Sequence, residues 1–378
     1  MHRLGVTFIV NLLLAAFITF VRTANTPDGR PLIMLAATAG PRDPYYGSFN
    51  EDIRSFQADY ARQIIGKDNV IVVASGVNYD YFVRELGTEH VARGQLDDIW
   101  FRDFGPAIQN QPVLFAFRPN YLPRRQARSI RQSFLEVMRS LGIRKPYSYA
   151  SSVVLDGGNV VDNGVDSMVV TSRVYADNGA KRNAGRQQNI RQTLSEETHY
   201  DNVVVVDQLK GDTTGHSDGM VSFLDKTVVG LNDMGDAALT NRIRSQLQSQ
   251  LPTSVKIVDI PNRYVDETWR GFTSACGLHI NALATNKYLY VPTFGADPEN
   301  QRRGYDRAYD EQVLSVIRRN TNKQVVPVPV PHNICRMGGS VRCLSWQVEG
   351  RIANNIVKAV KRGGRGRRGS RRGGRKRN

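Results

Sequence analysis

Short apolar runs recur along this chain, rich in β-branched residues and bounded by Gly, Pro, Asn or Asp. PLIMLAAT, NVIVVAS, PVLFAFRP, SMVVTSRV, NVVVVDQL, SVKIVDIP, KYLYVPTF and QVVPVPV have this form, which predicts strands. Between them, residues 50–65, 126–141, 183–197, 236–250 and 304–319 carry apolar residues at helical spacing with charge on the other positions. The alternation predicts an α/β fold. It also repeats, with a period near sixty residues. Each period has a polar turn: WFRDFGP with Asp103, LDGGN with Asp156, TGHSDG with His216 and Asp218, GLHIN with Asn281, and GGSVRC with Cys343. Five modules that each present polar residues from an equivalent turn suggest an arrangement around an axis with one shared site. The long period and the chemistry in each turn argue against a short-repeat solenoid.

Composition changes this picture mainly at the two ends. The chain has 378 residues, 40% of them hydrophobic, enough for one large core. The formal net charge is +16, but eleven Lys and Arg and no acid lie from Lys358 onward, leaving +5 for the rest. That tail, KRGGRGRRGSRRGGRKRN, is too dense in Gly, Ser and Arg to bury anything, so residues 358–378 are expected to be disordered. A solvated charged tail and a polyanion-binding segment (nucleic acid or a heparin-like glycan) are its two readings. Its GRGRRG lacks the flanking strand and helix of a dinucleotide site. At the other end a basic MHRLG precedes an apolar run at 6–21 and a polar RTANTPDG. This is the layout of a signal peptide over 1–24 and predicts secretion, with a retained membrane anchor as the alternative. The intervening 30–357 is expected to be one domain.

Three cysteines, Cys276, Cys335 and Cys343, rule out a disulfide scaffold, and no Cys-x-x-Cys or His-x-x-x-His spacing suggests zinc. Cys343 follows Gly338-Gly339 and is expected to continue into a strand; alone it reads equally as a buried small residue or as half of a local bridge to Cys335. His216 changes the balance. In a strand, residues two apart share a face, so His216 and Asp218 would face one pocket and offer the thiol an imidazole with a carboxylate. A guanidinium is a planar cation that carboxylates match in paired hydrogen bonds. Asp103 and Asp218 are therefore candidates to grip one, with Trp100 stacking beside it.

The ordered motifs DDIWFRDFGP, DGGN, GHSDG, LHINALATNKYLYVPTFG and MGGSVRCLSWQ resemble the agmatine deiminase and bacterial-type peptidyl-arginine deiminase family of the pentein superfamily, over about residues 30 to 350. The resemblance implies a five-bladed α/β propeller and a cysteine hydrolase needing no metal or organic cofactor. It implies Cys343 as nucleophile, His216 as general acid and base, Asp156 orienting His216, and Trp100, Asp103, Asp218 and Asn281 around the substrate. Three departures stand out: Asp156 replaces a usual Glu, Arg342 precedes the cysteine where His is usual, and LHIN replaces Ser-Tyr-x-Asn. A catalytic thiolate cannot be locked in a bridge, so any disulfide is expected between Cys276 and Cys335. The implied substrate is a guanidine, with export favouring peptidyl-arginine over agmatine. The competing class is an inactive pentein that binds polyanions. A homo-oligomer is a further candidate assembly.

Overall fold

The computed structural model describes residues 29–263 and 266–373; the expected leader at 1–24 lies outside them. Parallel neighbours need a crossover of a dozen or more residues, and the chain supplies a helix each time. Strands Val161–Asp162, Ser167–Thr171 and Asn202–Val206 form one unit: the first two pair antiparallel, helix Ala184–Thr198 crosses over, and the third returns parallel. Val221–Asp225, Val228–Asn232 and Lys256–Ile260 repeat the pattern around helix Ala237–Gln250. Leu283–Ala284, Tyr288–Thr293 and Gln324–Pro329 repeat it around Arg307–Arg318. A fourth unit joins the chain ends, with Ser345–Val348 antiparallel to Leu32–Ala36, which runs parallel to Asn69–Ala74 across helix Asn50–Ile64. In the fifth, a single Ala107–Val113 bridge stands for the first strand, before Val113–Ala116 pairs with Tyr149–Val154 across Arg124–Ser140. The result is a mixed α/β fold of separate small sheets.

In each of the five units the sheet is covered by its own crossover helix. Leu32–Ala36 and Ser167–Thr171 are buried along their whole length, which is why they read as continuous apolar runs rather than alternating ones. Ile243 and Leu247 pack on Val204 and Val229, and Val313, Leu314 and Ile317 pack on Leu289 and Val291. Each such side chain contributes roughly 1.5–3 kcal/mol on burial. Asp236 and Asp306 start two of these helices, their carboxylates accepting from Leu239 N and Tyr309 N respectively.

The C-terminus corrects an expectation. Helix Gly350–Gly373 buries Ala353, Ile356, Val357 and Val360 against a cluster containing Leu32, Ala92 and Phe101. Disorder therefore does not begin at 358. The spacing of those four residues makes one helical stripe, three of them ahead of Lys358 and only Val360 beyond it. Among the described residues, no helix is long and apolar enough to cross a membrane.

Candidate active site

The five polar turns lie just ahead of the first strand or bridge of their units, and they meet. A cavity of about 840 Å³ is lined by Trp100, Asp103, His216, Asp218, Asn281 and Cys343 among others. Asp156 sits immediately behind, 3% exposed, against His216. Two turns differ from the expected strands. His216 and Asp218 flank and occupy a short 3₁₀ turn, Ser217–Gly219, and Cys343 lies in the turn before strand Ser345–Val348. Both residues of the GHSDG motif still reach the cavity, because a tight turn projects its side chains from one end of the sheet instead of alternating them.

Local sequence explains the placement. The Asp98 carboxylate accepts from Ile99 N at 2.7 Å and from the Tyr46 hydroxyl at 2.9 Å, turning the chain so that Trp100 enters the cavity. Phe101 and Phe104 anchor the following turn in the core, and Arg102 N donates to Cys343 O at 3.1 Å, docking it on the cysteine turn. Gly339 is required there: a Cβ would collide with Trp100 and with Cys343 Cβ. Gly158 is required for the same reason under His216 Nδ1 and Asp103 Oδ1.

Asn281 organises the cysteine turn. Its Oδ1 accepts from Ser340 Oγ at 3.0 Å, Arg342 N at 3.2 Å and Cys343 N at 3.4 Å, while its Nδ2 donates to Cys343 Sγ at 3.2 Å. The other neighbour of the sulfur is Asp218 Oδ2 at 3.8 Å. Burial, then the negative charges of Asp218 and Asp103, pushes the Cys343 thiol well above its ordinary value. Cys343 is free, and Cys276 is bonded to Cys335. Among the described residues one trio of metal-ligand types comes together, Glu267, Cys276 and His332, but its sulfur is committed to that disulfide.

His216 faces carboxylates rather than the thiol. Its Nε2 is 3.2 Å from Asp156 Oδ2, and its Nδ1 is 3.8 Å from Asp103 Oδ1. Burial opposes the imidazolium, but Asp103, Asp156 and Asp218 outweigh it and raise His216 to about 9. Asp103 is raised to about 7, by burial first and by Asp156 and Asp218 next, with His216 pulling it down. Asp218 is also raised by burial, against the attraction of His216, Arg342 and Arg102. Arg342 Nε is 3.6 Å from Asp218 Oδ2, and its Nη2 donates to Val160 O at 2.7 Å. An excess of buried negative charge thus faces a cavity, with Asp103 Oδ1 lacking any hydrogen-bond partner. Such a site is built for a cation.

Sequence reading missed two participants. Tyr121 donates to Asp156 Oδ2 at 3.1 Å and stands edge-on to His216. Arg173 reaches the same oxygen at 3.5 Å. Neither lies in a polar turn, and no local pattern singles them out.

Comparison with known proteins places the chain in a family. The family model for Porphyromonas-type peptidyl-arginine deiminase matches residues 39–348. Agmatine deiminase of C. jejuni superposes with a TM-score of 0.66 at 16% identity, covering 86% of this chain and 94% of that one. Agmatine deiminase of Enterococcus faecalis gives 0.62 at 18% identity, covering 87% and 95%. A peptidyl-arginine deiminase-like crystal structure gives 0.67 at 19% identity, covering 84% and 96%. No curated protein matches the sequence. With most of its length under one family model, the chain belongs to the Porphyromonas-type peptidyl-arginine deiminase family and is a guanidine-deiminating hydrolase.

Proposed function

We propose that the protein is an exported deiminase of peptidyl-arginine, built as five units around one central site. Cys343 is the nucleophile, His216 the general acid and base, and Asp156 the group that orients His216. Trp100, Asp103, Asp218 and Asn281 surround the guanidinium. The observation that carries the substrate class is the size and lining of the cavity. At about 840 Å³ it extends well past the carboxylates to Tyr45, Tyr46, Trp269, Phe272 and Leu278. That volume and apolar wall suit a drug-sized ligand, so an arginine carrying chain on both sides fills it better than a decarboxylated amine. The leader favours the same reading, since an exported enzyme meets proteins outside the cell.

The charges set the order of events. In the empty site the thiol holds its proton and His216 holds one too. A guanidinium entering between Asp103 and Asp218 reverses the local field, and the thiol proton passes to solvent as the cation arrives. The sulfur attacks the guanidinium carbon, and His216 gives its proton to the departing amine, so ammonia leaves and a thiouronium remains. His216, now neutral, takes a proton from water, whose oxygen displaces the sulfur to give the ureido product. A cysteine-to-serine variant of the C. jejuni enzyme is described with substrate bound, which supports a cysteine as the group that reacts. Ammonia release from agmatine, free arginine and an acetylated arginyl amide, measured in parallel, tests the assignment. Turnover of the arginyl amide at least tenfold above agmatine is expected; the reverse order would make the protein an agmatine deiminase.

A further inference from the structure

The reaction as proposed uses Asp156 only as a contact to His216, yet three donors converge on that one carboxylate. Asp156 Oδ2 accepts from the Tyr121 hydroxyl at 3.1 Å, lies 3.2 Å from His216 Nε2 and 3.5 Å from Arg173 Nη2. Arg173 and Asp156 are both 3% exposed at the side chain, so this ion pair is dry. The guanidinium is itself fixed. Its Nε donates to Asp177 Oδ2 at 2.9 Å, its Nη2 to Asn120 Oδ1 at 3.2 Å, and its plane lies 5.1 Å from the Tyr121 ring centre. Arg173 and Asp177 are the two ends of one short helix, Arg173–Asp177. None of Arg173, Asp177 and Asn120 lines the cavity.

A buried carboxylate among other carboxylates is unstable as an anion unless a cation stands behind it. Asp103 and Asp218 share the site with Asp156, so the charge of Arg173 offsets part of the negative field that all three carboxylates place on His216. We propose that Arg173, held by Asp177, is a positioning residue for the reaction: it fixes the Asp156 carboxylate against His216 and sets how tightly His216 holds its proton. The chain Asp177–Arg173–Asp156–His216 alternates in sign and runs from the surface of a helix to the reacting centre. It also accounts for the short carboxylate at 156. With Tyr121 and Arg173 gripping the same oxygen, an aspartate is directed at the imidazole without the extra methylene of a glutamate.

The charged and titratable groups facing this pair are known from every side: Asp103 and Asp218 from their turns, Tyr121 from its loop, Arg131 from helix Arg124–Ser140, and Arg173 and Asp177 from their own helix. Removing a positive charge from this set raises the proton affinity of the rest, and removing a negative charge lowers it. Two substitutions outside the cavity must therefore move His216 in opposite directions. Arg173→Gln, close in shape but neutral, raises the His216 titration by about one pH unit, a tenfold change in proton affinity. Asp177→Asn lowers it by a smaller amount. Arg173→Lys, which keeps the charge, recovers most of the wild-type value.

The inference rests on the deiminase reading for its catalytic meaning, so the first measurement is independent of turnover. The imidazole of His216 is titrated by heteronuclear NMR in the full chain labelled at histidine, with His216→Ala assigning the resonance. The alkaline limb of kcat/KM for agmatine and for an acetylated arginyl amide is then followed in the same variants. Opposite shifts in the Gln and Asn variants, with matching movement of the limb, support the proposal. Superimposable titrations in wild type and both variants overturn it and leave Arg173 as a packing residue. If Arg173→Gln does not fold, the downward shift in Asp177→Asn still decides the matter. Shifted titrations in a wild-type protein that releases no ammonia would instead overturn the functional reading and leave the relay standing.

Discussion

Among the described residues there are two buried His–Asp pairs, and they do different jobs. His279 is closed on all sides. Its Nδ1 is 2.8 Å from Gly277 O and its Nε2 is 2.8 Å from Asp310 Oδ1, while Asp310 also accepts from Phe294 N at 3.0 Å and Gly295 N at 2.7 Å. Phe294 and Tyr309 stand edge-on to the ring. Every polar atom of that pair has a partner, so it ties the Gly277–Asn281 turn to helix Arg307–Arg318 and can do nothing else. His216 has one short contact, to Asp156, and its Nδ1 edge faces Asp103 beyond hydrogen-bond range. Asp103 Oδ1 and Asp156 Oδ1 have no partner. A buried polar group without partners costs about 1–3 kcal/mol, and a fold retains that cost where a ligand supplies the missing donors.

The largest expected effects break the two pairs separately. Cys343→Ser and His216→Ala each lower kcat by roughly 10³-fold or more; Cys343→Ser leaves thermal stability close to wild type, and His216→Ala does so above about pH 9, where the imidazolium's own contribution is lost. His279→Ala does the opposite: it removes a donor from Asp310 and leaves a hole between Phe294 and Tyr309, costing about 2–4 kcal/mol. Denaturant unfolding and ammonia release on the same preparations check both. Equal losses of stability in the His216 and His279 variants would erase the distinction.

Two glycines sharpen it at the next level. A methyl at Gly158 meets His216 Nδ1 and Asp103 Oδ1, whereas a methyl at Gly277, which has φ +82°, meets the Tyr305 ring. Gly158→Ala displaces the reacting groups, and a misplacement near 1 Å costs about 10²-fold in rate. Gly277→Ala strains the backbone by about 1–3 kcal/mol and lowers the melting temperature first. Steady-state kinetics beside thermal melts separate the two outcomes.

These pairs also show what the sequence could carry. The eight apolar runs and five helical segments were legible because each crossover unit buries an inner strand and one helix stripe, a pattern written in local periodicity. The hairpin Val221–Asp225 and Val228–Asn232 was not, since its single polar break at Asp225-Lys226-Thr227 gives a weak turn signal. The site turns were legible for the same reason as the glycines: close approach of Gly158 and Gly339 to reacting groups leaves few residue choices. Asn281 and Asp156 appear in such turns. Tyr121, Arg173 and Asp177 do not, because they act through contacts 17 to 35 residues away in sequence or through one another. The helical stripe 353–360 was less legible for a third reason: it straddles the start of the basic tail, with only Val360 beyond Lys358.

The smallest effects are in pH dependence, and they follow from sign. The folded value of Asp103, about 7, lies above its ordinary 3.8, so the folded state holds a proton that the unfolded chain has released. That contribution to stability is complete below 3.8 and is lost as pH rises through 7. His216, at about 9 against 6.5, contributes fully below 6.5 and loses its contribution as pH rises through 9. Both groups therefore make the empty protein less stable toward alkaline pH, and both are reversed by a bound guanidinium that welcomes the Asp103 anion. Activity should be bell-shaped in kcat/KM, rising through about 7 as Asp103 ionises to accept the cation and falling through about 9 as His216 loses the proton meant for ammonia. Asp103→Asn removes the first term, so between pH 4 and 6.5 this variant should gain stability relative to wild type as pH rises. Melting curves of both proteins across that window, with the His279–Asp310 pair intact in each, measure the difference. A constant offset would mean that Asp103 is an ordinary carboxylate and that the cavity's negative charge is not held against its own burial.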